Sequence, residues 1–274
     1  MILCGTPIGN LEDVSARALR VLAKADVVAC EDTRRTRKLL AHHHVKARAL
    51  VAYHDANEHR AAPGLVGRIA RGDTVVLVSD AGMPALSDPG YRLVRACVDA
   101  GLTIEIVPGP SAGLAALAVS GLPTGRFVFE GFLPRKPSAR RRRIDELAAE
   151  TRTLVLYESP HRIEESLSDL LEGLGDRPAC LARELTKLHE EVRRGTLKEL
   201  LAGVRAEGAR GEIVLVIGGA VHDHKDLPTS DELASRARAL MEAGTPRTEA
   251  MAEVARSAGV SKRTVFDALV RARD

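Results

Sequence analysis

The residues of this chain able to move protons or hold a small ligand gather at the ends of apolar runs. Glu31-Asp32 follows one run, with Arg34 and Arg35 just beyond, and Asp80 ends another. Tyr157-Glu158-Ser159-Pro160-His161-Arg162 closes a third and Ala182-Arg183-Glu184-Leu185-Thr186-Lys187 a fourth. Carboxylates and lysines are common general acids and bases, so such strand ends suit proton transfer. Three further loops, GTPIGN (5–10), SDAGMPALSDPG (79–90) and PGPSAG (108–113), are rich in Gly, Pro and Ser. Small residues let backbone approach a ligand closely. None of the three fits GxGxxG in a strand-to-helix turn or GxxxxGK[ST], so they do not describe an obvious dinucleotide or triphosphate site. Each residue also has a structural reading. Asp80 suits a turn or helix cap, Ser111 a helix N-cap, and part of 157–162 simple capping of a strand end.

Two segments concentrate positive charge. Glu31-Asp32-Thr33-Arg34-Arg35, with Arg37 and Lys38, reads either as a surface salt-bridge cluster, of a kind that contributes little, or as a phosphate-contacting helix. Arg135 and Lys136, followed by Arg140, Arg141, Arg142 and Arg143, form the densest positive stretch, and phosphate contact is its functional reading. Four consecutive arginines cannot share one helix face, so some are solvated. His42, His43 and His44 suit a solvated helix C-terminus better than a metal centre. We assign no metal.

The elements that position these groups fall into three parts: an N-terminal α/β domain (1–122), a second α/β domain (123–222) and a helical segment (228–274). In the first, apolar runs at 2–4, 26–30, 74–78 and 102–107 alternate with helical patterns over 13–24, 34–42, 58–71, 90–100 and 111–120. Asp13 is the expected cap of the first helix. Continuous apolar strands alternating with helices imply a mainly parallel sheet covered on both faces, with ligands just beyond the carboxyl ends of its strands. Gly121-Leu122-Pro123-Thr124-Gly125 is a natural hinge. Beyond it, strands at 127–129, 153–157, 179–182, 191–196 and 213–217, with helices at 138–149, 161–173 and 196–206, imply a mixed sheet. Residues 221–228 read as a polar linker. The last segment carries Leu233, Ala237, Leu240 and Met241 on one face, then Thr245-Pro246 opening a helix with Pro at its first position. Gly259-Val260-Ser261 turns into a helix opening Ser-Lys-Arg-Thr-Val. This is a helix-turn-helix pattern, suited to nucleic-acid contact, to three-helix packing or to a dimer contact.

Composition narrows the classes. At 274 residues the chain can bury a real core. Its formal charge of +3 is too small to identify a nucleic-acid binder without local clustering. Aromatics make up 3% and Trp is absent, so Ala, Val and Leu must fill the core, and a stacking-platform RNA binder is disfavoured. Cys4, Cys30, Cys97 and Cys180 are spaced neither as zinc pairs nor as a disulfide framework and suit reduced core thiols. With no secretory leader and no membrane-spanning run, the expected setting is cytoplasmic.

GTPIGNLEDVSARAL, ACEDTRRT, LVSDAGMP followed by DPGYRLV, PGPSAG, LPTGRFVFEGFLPRK, LYESPHR, ARELTK and GEIVLVIGG occur in this order and span almost the whole chain. Together they resemble the bacterial 16S ribosomal RNA ribose 2′-O-methyltransferases of the tetrapyrrole-methylase-like superfamily. The EDTR, SDAG and YESPHR segments are particular to that branch, whereas the strand-and-loop layout is shared with porphyrin and diphthamide methylases. The resemblance implies S-adenosylmethionine bound between two α/β domains, a homodimer, and methylation of the 2′-hydroxyl of cytidine 1402 in the decoding region of 16S rRNA on the small ribosomal subunit. It implies cofactor contacts from Pro7, Val78, Ser79, Asp80, Met83, Ser111 and Ala112. From the second domain it implies Tyr157, Glu184, Leu185, Thr186, Gly211, Glu212 and Ile213. Glu31, Asp32, Arg34, Glu158 and Lys187 are the candidates for proton removal or orientation at the ribose hydroxyl. Arg135, Lys136 and Arg140–Arg143 are the candidate RNA contacts. Two other readings are a tetrapyrrole or other small-molecule methylase of the same fold, which has no use for the basic stretch or the last helices, and a non-enzymatic nucleic-acid-binding ligand sensor.

Overall fold

Five short strands make the first sheet: β1 (Ile2–Cys4), β2 (Val27–Cys30), β3 (Leu50–Ala52), β4 (Val75–Val78) and β5 (Glu105–Val107). A computed structural model, describing residues 1–221 and 228–272, pairs them all in parallel in the order β3-β2-β4-β1-β5. β2 and β4 are buried at every position because helices cover both faces. α1 (Ala16–Lys24) and α2 (Thr33–His42) pack Ala18, Leu22 and Leu40 against Cys4, Val28, Cys30, Val76 and Val78. On the opposite face α3 (Glu58–Ala70) and α4 (Tyr91–Asp99) pack Leu65, Ile69, Leu93 and Cys97 against Val27, Ala29, Val75 and Leu77. β3 is an element the apolar pattern did not reveal. The cap of α1 is Ser15, which accepts from the Ala18 N–H, and not Asp13, which lies inside a short 3₁₀ turn over Leu11–Asp13.

The second sheet has the order β6-β7-β10-β8-β9, with β6 parallel to β7 and the other pairs antiparallel. Its strands are β6 (Phe127–Phe132), β7 (Thr153–Glu158), β8 (Pro178–Arg183), β9 (Glu191–Thr196) and β10 (Ile213–Ile217). α6 (Pro137–Leu147), α7 (Ile163–Leu174) and α8 (Leu197–Glu207) cover one face, burying Ile144, Leu167, Leu170 and Leu200 against Leu154, Leu156, Leu181 and Leu215. The other face is covered by α5 (Ala112–Ser120), the helix that follows β5 of the first sheet. Its Ala116 and Leu117 pack with Ile8 of the first loop on Val155, Cys180, Val214 and Val216. Packing therefore ties residues 112–120 to the second sheet, although they precede the hinge in sequence. Met1–Ala220 form one compact unit.

A second unit begins at Val221. In it α9 (Ser230–Glu242), α10 (Arg247–Ser257) and α11 (Lys262–Arg271) bury Leu233, Ala237, Val254, Val265 and Leu269 together. Thr229 and Glu232 form a reciprocal cap at the start of α9, and Ser261 caps α11. Pro246 is extended and occupies the cap position of α10 instead of its first turn. Most of the linker expected at 221–228, residues 222–227, lies outside the described residues, as do the last two of the helical segment.

Candidate active site

The three small-residue loops meet at the carboxyl ends of β1, β4 and β5. Thr6 and Gly82 exchange backbone hydrogen bonds of 2.8 and 3.1 Å, joining the first loop to the second. The Thr6 hydroxyl donates to the Ser79 carbonyl at 3.2 Å. Gly5 lies so close to Gly109 that a Cβ on Gly5 would stand 2.6 Å from the Gly109 Cα, which only glycine permits. Met83 reaches beneath the third loop, where its sulfur accepts from the Gly109 N–H at 3.3 Å. Asp80 fastens the end of β4 to the end of β2: its Oδ1 accepts from the Asp32 N–H at 2.9 Å, and Arg35 stands 3.4 Å from its Oδ2. Asp32 caps α2 and takes two bonds from the Arg34 guanidinium, which hold its carboxyl down at about 2.

The second half closes onto this platform. The Tyr157 hydroxyl accepts from the Gly113 N–H at 3.2 Å, and Phe129 and Phe132 pack against the Tyr157 ring. In the turn after β8, Glu184 (φ 50°) and Thr186 (φ 66°) adopt left-handed backbone, a strained choice for side-chain-bearing residues. Glu184 accepts from the Glu212 N–H (2.9 Å) and from Lys187 Nζ (2.9 Å), and Lys187 also pairs with Glu212 at 3.1 Å. Gly211 is required there, since a Cβ would fall 2.2 Å from the Glu184 carboxylate. Thr186 accepts from the Asn10 N–H at 2.9 Å, and a Cβ on Gly9 would strike Lys187 and the Leu185 carbonyl. The first loop thus bridges both halves. Beside it opens a cleft of about 400 Å³ lined by Pro7, Arg35, Lys38, Asp80, Lys187 and Glu212, among others.

Of the residues expected to hold a cofactor, Pro7, Ser79, Asp80 and Glu212 line this cleft and Met83 supports its neighbour loop. Val78, Leu185 and Ile213 are buried beside it, leaving backbone as their available contact. Ser111 caps α5, which begins at Ala112. Among the proton-transfer candidates, Lys187 lines the cleft. Burial opposes its charge, but the Glu184 and Glu212 carboxylates outweigh that and push its pKa up, so it is a cation and no base. Glu31 is half-buried, and burial and the charges of Asp80 and Asp55 push its carboxyl up.

Glu158 does not face the cleft. Alternation along β7 turns it away from Tyr157, toward α7, where it is 3% exposed and accepts from Ser166 (2.5 Å) and its neighbour Ser159 N–H (2.8 Å). Its burial is that of a structural carboxylate. The arginine stretch is corrected in the same way. Arg140 is 3% exposed and bound to Asp169 at 2.6 Å, Arg141 shares Asp169, and Arg143 binds Glu130 and Glu146. Arg135, Lys136 and Arg142 are exposed, with no carboxylate partner among the described residues. The sequence reading passed over Asp88. It is half-buried in the second loop, and burial and the charges of Glu31, Asp80 and Asp55 push its carboxyl up to about 7. Its signal was the second SD pair in SDAGMPALSDPG. Among the described residues, no three His, Cys, Asp or Glu side chains gather as metal ligands.

Residues 1–201 match the profile of the Tetrapyrrole (Corrin/Porphyrin) Methylases. The chain is similar to "Ribosomal RNA small subunit methyltransferase I" of Escherichia coli O157:H7, at 45% identity over 95% of this chain and 91% of that protein. It is likewise similar to the protein of that name from Mycobacterium tuberculosis (strain CDC 1551 / Oshkosh), at 46% over 100% and 95%. Among solved structures, the cobalamin biosynthetic enzyme cobalt precorrin-4 methyltransferase shares the fold, with a TM-score of 0.60 at 23% identity over 79% of this chain and 93% of that one. Diphthine synthase shares it too, with a TM-score of 0.60 at 16% identity over 81% and 92%.

Proposed function

We propose that this chain, which belongs to the tetrapyrrole (corrin/porphyrin) methylase family and within it to the ribosomal RNA small subunit methyltransferases I, methylates the ribose 2′-hydroxyl of cytidine 1402 of 16S rRNA. The methyl donor is S-adenosylmethionine. The observation that carries the reading is the first loop: its Thr6–Gly82 and Asn10–Thr186 hydrogen bonds draw the first two small-residue loops and the Glu184–Lys187 turn around one cleft. The residues fit such a donor. The close Gly5–Gly109 crossing and the backbone-rich rim suit a compact nucleoside-containing ligand, and no phosphate-cradling motif competes. Pro7, Val78–Asp80, Met83, Ser111, Ala112, Tyr157, Glu184–Thr186 and Gly211–Ile213 would hold it.

When bound, the cofactor supplies a sulfonium methyl that is already strongly electrophilic. The chain has to hold the ribose oxygen in line and accept its proton. Asp32, held at about 2, is a poor acceptor, and Arg34 and Lys187 are cations suited to orientation. That leaves Glu31, at the end of β2 and with its carboxyl pushed up, as the candidate to accept the proton. Arg135, Lys136 and Arg142 take RNA phosphates on the second half.

A homodimer agrees with α5, whose sequence AGLAALAVS is apolar all round yet exposes Leu114 and Val119, and with the exposed Phe127 and Phe129 of the edge strand β6. A ribosomal substrate puts the protein in the cytoplasm. The deciding experiment incubates the protein with methyl-labelled S-adenosylmethionine and small subunits lacking native methylation, then maps the label. Label on the ribose of one decoding-region cytidine is the expected result. Cofactor binding without label on subunits or free RNA would move the reading to a small-molecule methylase.

A further inference from the structure

We infer that the exposed face of α2 is an RNA-phosphate surface, with Arg37 and Lys38 as its contacting cations. The inference rests on the rRNA reading above and deepens it by naming a surface that holds the strand. α2 packs four cations into five residues, Arg34, Arg35, Arg37 and Lys38, all exposed. Two of them have acidic neighbours: Arg34 is bound to Asp32, and Arg35 stands 3.4 Å from Asp80. Arg37 and Lys38 have no carboxylate within ion-pair distance among the described residues. Arg34, Arg37 and Lys38 are spaced i, i+3, i+4 and so share one helix face. Arg35 and Lys38 also line the cleft, so this face adjoins the proposed site of chemistry.

Local physics opposes the arrangement. The first turn of a helix favours acidic side chains, and α2 has none there but two arginines. Like charges at i, i+3 and i+4 repel. Such a local conflict is characteristic of a functional surface, and a polyanion relieves it. α2 is also firmly seated. Thr36, Leu39 and Leu40 are buried, Asp32 caps its start, and near its C-terminal end the His43 ring hydrogen-bonds through Nε2 to the Leu11 carbonyl at 2.9 Å. Its ten residues span about 15 Å, the reach of two or three backbone phosphates flanking a nucleotide in the cleft. By contrast, three of the four arginines on α6 already have carboxylate partners.

The test uses the full-length double variant R37Q/K38Q and a 16S decoding-region RNA fragment, with affinity read by fluorescence anisotropy from 50 to 400 mM salt. Each single-strand phosphate contact contributes about 0.7 to the slope of log K against log salt. Loss of two contacts should flatten the slope by about 1.4 and weaken binding about 15-fold at 0.15 M salt. KM for RNA should rise in step with the loss of affinity. R60Q/R71Q, which removes the same charge from α3 and the cap residue that follows it, should bind like wild type, and matched thermal melts establish that both variants fold. Wild-type affinity and slope in R37Q/K38Q, with wild-type protein still methylating the RNA, would overturn the inference and leave the rRNA reading intact. An equal loss in R60Q/R71Q would overturn it as a general charge effect. A wild-type protein that transfers no methyl to small subunits or to RNA would overturn both.

Discussion

Replacing Asp88 by Asn should change how stability depends on pH. In the folded chain its carboxyl is pushed from the ordinary 3.8 up to about 7, first by burial and then by the charge of Glu31, with Asp80 and Asp55 adding to it. Between these values the native state keeps a proton that the unfolded chain has released. Stability is therefore intact below about pH 4 and falls as pH rises through the window to about 7. A tenfold change in proton affinity is about 1.4 kcal/mol, which sets a ceiling of about 4 kcal/mol on the loss. Asp88 keeps part of its surface in water, and screening brings the expected loss to about 2 kcal/mol. Asparagine keeps the shape but cannot ionise. D88N should thus match wild type near pH 3.5 and exceed it by about 2 kcal/mol at pH 8. Urea denaturation of both proteins at the two pH values, at constant ionic strength, measures the difference, with the m-value as a check that the transition is unchanged. The carboxylates whose pKa values are held down, such as Asp32 and Glu150, titrate below this window and cancel in the comparison. A stability difference that is the same near pH 3.5 and at pH 8 would refute the reasoning.

Other substitutions probe separate parts of the structure. Gly5→Ala sets a Cβ 2.6 Å from the Gly109 Cα and 2.7 Å from its nitrogen, backbone against backbone; it should cost about 1–3 kcal/mol and weaken cofactor binding, read by denaturation and by titration calorimetry. Arg140→Ala leaves the buried Asp169 carboxylate with Arg141 as its remaining cation and should cost about 2–3 kcal/mol, while RNA affinity of the folded fraction stays at the wild-type level. Tyr157→Phe removes the acceptor of the Gly113 N–H and should cost about 1–2 kcal/mol in thermal or urea denaturation, with a matching loss of cofactor affinity.

Apolar runs, Gly-rich strand ends and caps are local features, and the chain spells them out. The runs into Cys4, Val78 and Val107, the Ser111 cap and the five strands of the second half all follow from patterns a few residues long. The motif order from GTPIGN to GEIVLVIGG likewise carried the family. β3 escaped because three half-buried residues at a sheet edge leave no periodicity to detect. Other matters depend on partners distant in sequence. Alternation puts Tyr157 and Glu158 on opposite faces, but only the packing of α5 on the second sheet decides that Tyr157 meets the Gly113 N–H while Glu158 turns to Ser166. The arginine run looks like one patch until Asp169 and Glu130, brought in by α7 and β6, claim three of its members. Asp88 becomes distinctive only when β2 and β4 carry Glu31 and Asp80 to its side. Periodicity and capping act through neighbours in the chain, so the sequence by itself determined the elements and the loops. Charge state and exposure act through space, so only the tertiary structure decided which of the candidate side chains face the cleft, and in what form.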